Sequence, residues 1–596
     1  MRIKPLAVAV SLCLLSACNQ QATRTESADQ AKESAAAVAG GAVANAAAED
    51  KGALAAQDQE ADVLDEEPAQ LRAAAKSSIQ ADALSAPSPS PLLAYAPPTA
   101  SASYSQPAAI GMVAPPIPTN TENYAGHTDN PIQRVAENPV STFSIDVDTG
   151  SYSNVRRMLV AGQRPPADAV RAEEMINYFD YGYPAPVTRE VPFLVSTEIA
   201  PAPWNAKHQL LQIGIQGYRV PKAAIPASNL VFLIDTSGSM QDADKLPLLK
   251  QSFRELVMQM RPQDRVTVVA YAGSAGLVLP PTAGSERDTI LAALDRLDAG
   301  GSTNGGEGLQ LAYAMARQAY IAQGVNRVIL ATDGDFNVGT VDQKALETMI
   351  ADQRKSGIAL TTLGFGTGNY NDSMAERLAD LGNGNHAYID SAAEGRKVLV
   401  DELSSTMLTI AQDVKIQLEF NPAVVAEYRL IGYENRALRR EDFNNDRIDA
   451  GEIGAGHDVT ALYEITLVGS GGQSVDPLRY GHKVPVALAG TDELAWLRLR
   501  YKAPGSETSR LLQKALTRRQ IRPAATPRLQ WSAAVAAYAD LLRNGGNIGA
   551  FSWNDVHALA ARAGGDDRWG HRAEFLSLVD RARALVAGET PVAVSQ

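Results

Sequence analysis

The chain has 596 residues, too many for one hydrophobic core, so two to four domains are expected. Its net charge of -13 argues against nucleic acid or a broad anionic membrane surface as partner. Apolar residues make up 45% and charged ones 20%, and the only two cysteines, Cys13 and Cys18, lie at the extreme N-terminus, which leaves the folded part without a disulfide or a thiolate metal site.

Arg2 and Lys4 precede an apolar stretch from Leu6 to Leu15. That stretch is short of the roughly 20 residues a spanning helix needs, and it has the layout of a signal peptide. The tetrad Leu15-Ser16-Ala17-Cys18 resembles the lipobox of bacterial lipoproteins. The resemblance implies removal of residues before Cys18 and lipidation of that cysteine. Asn19 in place of an aspartate favours the outer membrane of a Gram-negative bacterium. Residues 19–120 are rich in Ala, Ser, Pro and Gln and cannot bury enough apolar surface to offset their ordering entropy. They read as a disordered tether, whose ends as a flexible coil would lie about 50–60 Å apart.

Order is expected to begin near Asn130, within an N-terminal domain bounded at 121–190. Phe143, Ile145 and Val147 alternate with Ser144, Asp146 and Asp148, the period of a half-buried strand. Helices are expected at Tyr152–Ala161 and Ala167–Phe179, then two strands within 191–226. From 227 to 411 strands alternate with helices of 10–15 residues, which predicts a mainly parallel sheet covered on both faces. After residue 412 the pattern turns to strands (VKIQLEF, ALYEITLVG, KVPVALAG, LAWLRLRYKAP), a β-sandwich signature that runs to 505. Residues 506–596 read as helical.

The chemistry concentrates where the unbroken apolar run Leu230–Ile234 meets Asp235-Thr236-Ser237-Gly238-Ser239. A run without alternation is a strand buried on both faces, and its end opens onto the ligand crevice of a parallel sheet. Asp235, Ser237 and Ser239, spaced two apart, resemble the metal-ion-dependent adhesion site of von Willebrand factor type A domains. A second loop, GGSTNGGEG, offers Thr303, and the strand-Thr-Asp-Gly segment VILATDGD offers Asp333. The resemblance implies a Rossmann-like α/β domain at 227–411, and the strand patterns on both sides of it predict that it is inserted in or next to the β domain. The resemblance also implies a five-residue metal site for Mg²⁺, or Mn²⁺ or Ca²⁺, that captures an Asp or Glu of a protein ligand. Residues 121–190 are similar to the N-terminal domain that accompanies the type A domain in bacterial lipoproteins of this kind. Hard cations prefer such oxygen ligands. Three hydroxyls and two carboxylates would leave the ion open to an outside carboxylate, with the loops at 272–276, 299–306 and 335–341 setting specificity.

The expected role is therefore non-catalytic. Two alternatives stand beside it: an envelope scaffold whose metal only braces loops, and a metal-dependent phosphohydrolase using Asp146 and Asp148, whose Asp-x-Asp follows a strand. Asp442-Phe-Asn444-Asn-Asp446 starts like a calcium loop, but Arg447 and Ile453 stand where an EF-hand needs Gly and Glu. His386 reads as a packed histidine and Gly364-Phe-Gly366-Thr-Gly368 as a turn. That turn is not Gly-x-Gly-x-x-Gly, and the sequence has no nucleotide loop of the Walker type.

Overall fold

The computed structural model describes residues 120–334, 343–402, 405, 407–480 and 492–588. Cys18, the tether, the 335–341 loop and the expected strand KVPVALAG lie outside the described residues. In chain order, β1 (Gln133–Arg134) and β2 (Val140–Ser144) precede helices α1 (Gly150–Val160) and α2 (Ala172–Asn177) and the hairpin β3 (Phe193–Ala202) and β4 (Asn205–Gly217). The α/β unit holds β5 (Ser228–Asp235), α3 (Leu246–Gln259), β6 (Arg265–Tyr271), β7 (Ala275–Ala283), α4 (Arg287–Asp295), α5 (Gly305–Gln318) and β8 (Val325–Thr332). It continues through α6 (Gln343–Lys355), β9 (Ala359–Phe365), α7 (Asp372–Leu381), β10 (His386–Ile389) and α8 (Ala392–Arg396). The chain then forms β11 (Thr409–Phe420), β12 (Val425–Ile431), β13 (Ile453–Gly454), β14 (Asp458–Leu467), β15 (Glu493–Lys502) and β16 (Ser509–Thr517). Three helices follow: α9 (Pro527–Arg543), α10 (Trp553–Ala563) and α11 (His571–Ala587).

The sheet of the α/β unit runs β10-β9-β8-β5-β6-β7, parallel except where β7 returns against β6. Every residue of β5 and β8 is buried. Alternate side chains explain why: Leu230, Phe232 and Ile234 pack with α3, while Val231 and Leu233 pack with α5 on the other face. This Rossmann-like arrangement brings the C-terminal ends of β5, β8 and β9 side by side.

The remaining strands make a sandwich. One sheet runs β1-β12-β14-β4-β3; the other runs β13-β11-β15-β16, with β2 also paired to β11. In β14, Val459, Ala461, Tyr463 and Ile465 face the core between the sheets, and Leu462 faces a layer of helices on the outer side. That layer comprises α1, α2, α9, α10 and α11 around Trp531 and Phe575. The α/β unit is inserted between β4 and β11, which lie in different sheets.

The N-terminal segment is built into both layers instead of standing alone: β1 and β2 join opposite sheets, and α1 and α2 join the helical layer. The helix expected at 167–179 is interrupted. The Ser151 hydroxyl donates to the Ala169 carbonyl (2.7 Å) and accepts the Arg171 N–H (2.9 Å), taking the backbone groups that a continuous helix would use. Residues 506–596 are not helical throughout, because Ser509–Thr517 adds an edge strand to β15.

Candidate metal centre

Asp235 ends β5 with its side chain fully buried. One carboxylate oxygen accepts the Ser237 N–H (2.8 Å), which turns the chain sharply after the strand. The other accepts the Tyr271 hydroxyl (3.2 Å) and the Thr332 hydroxyl (3.3 Å), joining the ends of β5, β6 and β8. The Ser237 and Ser239 hydroxyls lie 3.0 Å apart, the first buried and the second exposed. A second loop is tied to this one by two backbone bonds, from Gly238 N–H to the Gly301 carbonyl (3.0 Å) and from Gly300 N–H to the Thr236 carbonyl (2.8 Å). Half-buried Thr303 follows on that loop. Asp333, fully buried, comes directly after β8. Gly334 behind it has φ +94, and a Cβ there would fall 2.1 Å from the Asn371 nitrogen, so only glycine allows this approach.

Asp235, Ser237, Ser239 and Asp333 thus meet at one edge of the sheet, with the Thr303 loop bound against them. The side chains named for this centre offer only oxygen, which suits a hard divalent cation. Burial pushes the Asp235 carboxyl up to about 6, with Asp333 adding repulsion and the Ser237 N–H opposing it. On the Thr303 loop, the Asn304 side-chain oxygen is buried without a hydrogen-bond partner among the described residues.

Three further residues belong to this corner and were not legible as such in the sequence. The Lys245 ammonium, buried at the start of α3, lies 3.0 Å from Asp333 Oδ2 and 3.0 Å from Asn369 Oδ1. Its stem crosses Gly366, where φ is +75 and a Cβ would stand 2.3 Å from Lys245 Cγ. The one sequence signal was a lysine at a helix N-terminus, where the helix dipole disfavours a cation unless it is paired. The loop that carries Gly366 and Asn369 is gripped by the N-terminal segment. Thr121 N–H donates to the Gly368 carbonyl (2.7 Å), Asn123 N–H to the Tyr370 carbonyl (2.9 Å) and Asp372 N–H to the Asn123 carbonyl (3.1 Å). The Gly368 N–H in turn donates to Glu122 Oε1 (2.9 Å).

The other sequence candidates have structural partners. Asp146 and Asp148 are buried, and with Glu376 they surround the Arg436 guanidinium, at 3.2, 3.5 and 3.4 Å. Their remaining oxygens accept the Asp148 and His386 N–H groups (2.9 and 2.8 Å). The two carboxylates that the phosphohydrolase alternative would use are thus ion-pair partners of Arg436 and face the interior. His386 is packed, bonded to Thr362 and Tyr370. Asp442 pairs with Arg439, and Asp446 with Arg500 and Ser509.

A family model for the von Willebrand factor type A domain matches residues 229–402, one for von Willebrand factor matches 118–212, and one for the C-terminal part of uncharacterized protein YfbK matches 405–585. The chain is similar to the uncharacterized protein YfbK of Escherichia coli (strain K12), 48% identical over 469 residues that cover 78% of this chain and 81% of that protein. It is also similar to the inter-alpha-trypsin inhibitor heavy chain H3 of Homo sapiens, 24% identical over 40% of this chain and 28% of that protein. Among solved structures, a von Willebrand factor type A protein from Catenulispora acidiphila covers 67% of this chain and 91% of its own length at 16% identity, with a TM-score of 0.38.

Proposed function

Because this chain belongs to the von Willebrand factor type A proteins that include YfbK of Escherichia coli, we propose that it is a cell-envelope lipoprotein that binds a protein partner through a divalent metal. Cys18 carries the lipid anchor in the outer membrane. Asp235, Ser237, Ser239, Thr303 and Asp333 hold Mg²⁺, or Mn²⁺ or Ca²⁺. The partner supplies an Asp or Glu carboxylate, for adhesion or complex assembly without catalysis. The observation that carries this reading is the convergence of Asp235 and Asp333, both fully buried, beside the paired hydroxyls of Ser237 and Ser239.

When bound, the ion supplies a positive centre with room for an outside oxygen. The chain's own residues do the rest. The Tyr271 and Thr332 hydroxyls fix the Asp235 carboxylate, the backbone bonds of Gly238 and Gly300 hold two loops in register, and Gly334 lets Asp333 approach. Calorimetric titration of Mg²⁺ and Mn²⁺ into the full-length protein in mild detergent tests the reading. Saturable binding is expected in the wild type and should vanish in the Ser237→Ala/Asp333→Ala variant. Identical heats in both would overturn it.

A further inference from the structure

A buried lysine is expensive unless its charge is used. Lys245 is 3% exposed, and its ammonium is held by one Asp333 oxygen and by the Asn369 side chain. Its route there is built. Gly366 leaves the space its stem occupies, at a backbone conformation that L side chains rarely adopt. Asn369 in turn lies on the loop bonded to residues 121–123. The lysine therefore occupies a prepared position beside the candidate metal ligands.

We propose that Lys245 is a positioning residue that tunes this metal site in favour of an external carboxylate. The inference rests on the metal-site reading above. Charge counting gives the reason. Asp235 and Asp333 alone match a divalent ion and leave it neutralised by the protein. With the Lys245 ammonium bonded to Asp333, one positive charge is left over when the ion is bound. That surplus weakens the hold on the ion and strengthens the attraction for a carboxylate from a partner. Before the ion binds, the same ammonium pairs with Asp333 and limits the repulsion between two buried acids. The residue thus makes metal and partner binding depend on each other.

The test uses the full-length protein in mild detergent, with Mg²⁺ titrated by calorimetry in the presence and absence of saturating sodium acetate as a carboxylate probe. Lys245→Met should bind Mg²⁺ about tenfold more tightly than the wild type without acetate. Lys245→Arg, which keeps the charge, should stay within about twofold of the wild type. Acetate should tighten Mg²⁺ binding in the wild type more than in Lys245→Met. Lys245→Gln, which keeps a polar end, serves if the Met variant does not fold, with the same expectation. Equal Mg²⁺ affinity in wild type and Lys245→Met, or a fall in melting temperature with no gain in affinity, would overturn the proposal and leave the metal site standing. Absence of Mg²⁺ binding in both proteins would overturn the metal-site reading and this inference with it.

Discussion

Gly366 shows how much a single missing methyl group can decide. Its φ is +75, and a Cβ would meet the Lys245 stem at 2.3 and 2.4 Å. Gly366→Ala should therefore strain the backbone and expel the lysine from its slot. The expected loss of stability is about 1–3 kcal/mol, read by urea unfolding. A neutral effect would mean that Lys245 swings out freely and that its position is not built. At this scale the sequence exposed Asp235, Ser237 and Ser239 because their chemistry is local, two residues apart at the end of an apolar run. Asp333 was exposed for the same reason, at the end of β8. Lys245 was not, because its meaning lies in contacts with residues 88 and 124 positions away. The burial of Asp146 and Asp148 was equally hidden, since it depends on Arg436, 290 and 288 positions along the chain.

Among the elements, β5 and β8 were readable because helices cover both their faces and no polar residue has to alternate. β12 was not, because its sequence VAEYRLI carries Glu427 and Arg429 into buried positions. Glu427 accepts the Ser474 and Val475 N–H groups (2.8 Å each), and Arg429 pairs with Glu464 (2.9 Å). Pattern alone treats such charges as solvent-facing. β16 escaped for the opposite reason: as an edge strand it is exposed along much of its length and shows no clean period. The pairing of β4 with β14 yields a pH prediction. His208 on β4 faces Glu464 on β14 at 2.6 Å, and this bond raises the histidine's pKa, against the effect of burial. The carboxyl of Glu464 is lowered: burial opposes ionisation, but His208 and Arg429 outweigh it. A raised histidine stabilises the fold fully below its unfolded pKa, and that contribution disappears as pH rises through its folded value. The wild type should therefore exceed His208→Gln in stability by about 1 kcal/mol more near pH 5.5 than near pH 9, measured by urea unfolding. A difference that stays constant with pH would show that the pair contributes no proton-linked stability.

For the molecule as a whole, the α/β unit is an insertion whose entry and exit lie together. Ala223 and Ser228 on the way in share a cavity of about 240 Å³ with Val400 and Met407 on the way out, at the end of the sheet opposite Asp235. Elsewhere three arginines from outside the unit hold it. Arg156 pairs with Asp390 and Glu394, Arg171 with Asp372, and Arg436 with Asp380 on α7 as well as with Glu376. Arg436→Met would leave Asp146 and Asp148 buried without their cationic partner, while Glu376 keeps Arg171 at 3.6 Å. The expected cost is about 3–5 kcal/mol, with the α/β unit unfolding ahead of the sandwich in a denaturant titration followed by hydrogen exchange. A loss below about 1 kcal/mol would mean that protonation of the carboxylates replaces the arginine.

The bonds made by residues 121–123 have a mechanical side. The first backbone contacts of the described chain are with the Gly366–Asn371 loop and not with a strand of either sandwich sheet. Tension applied ahead of residue 120 is therefore delivered first to that loop, and through Asn369 to the lysine that steadies Asp333. On the proposed function, the segment by which the chain would be tugged and the corner that would grip a partner are joined through this one loop.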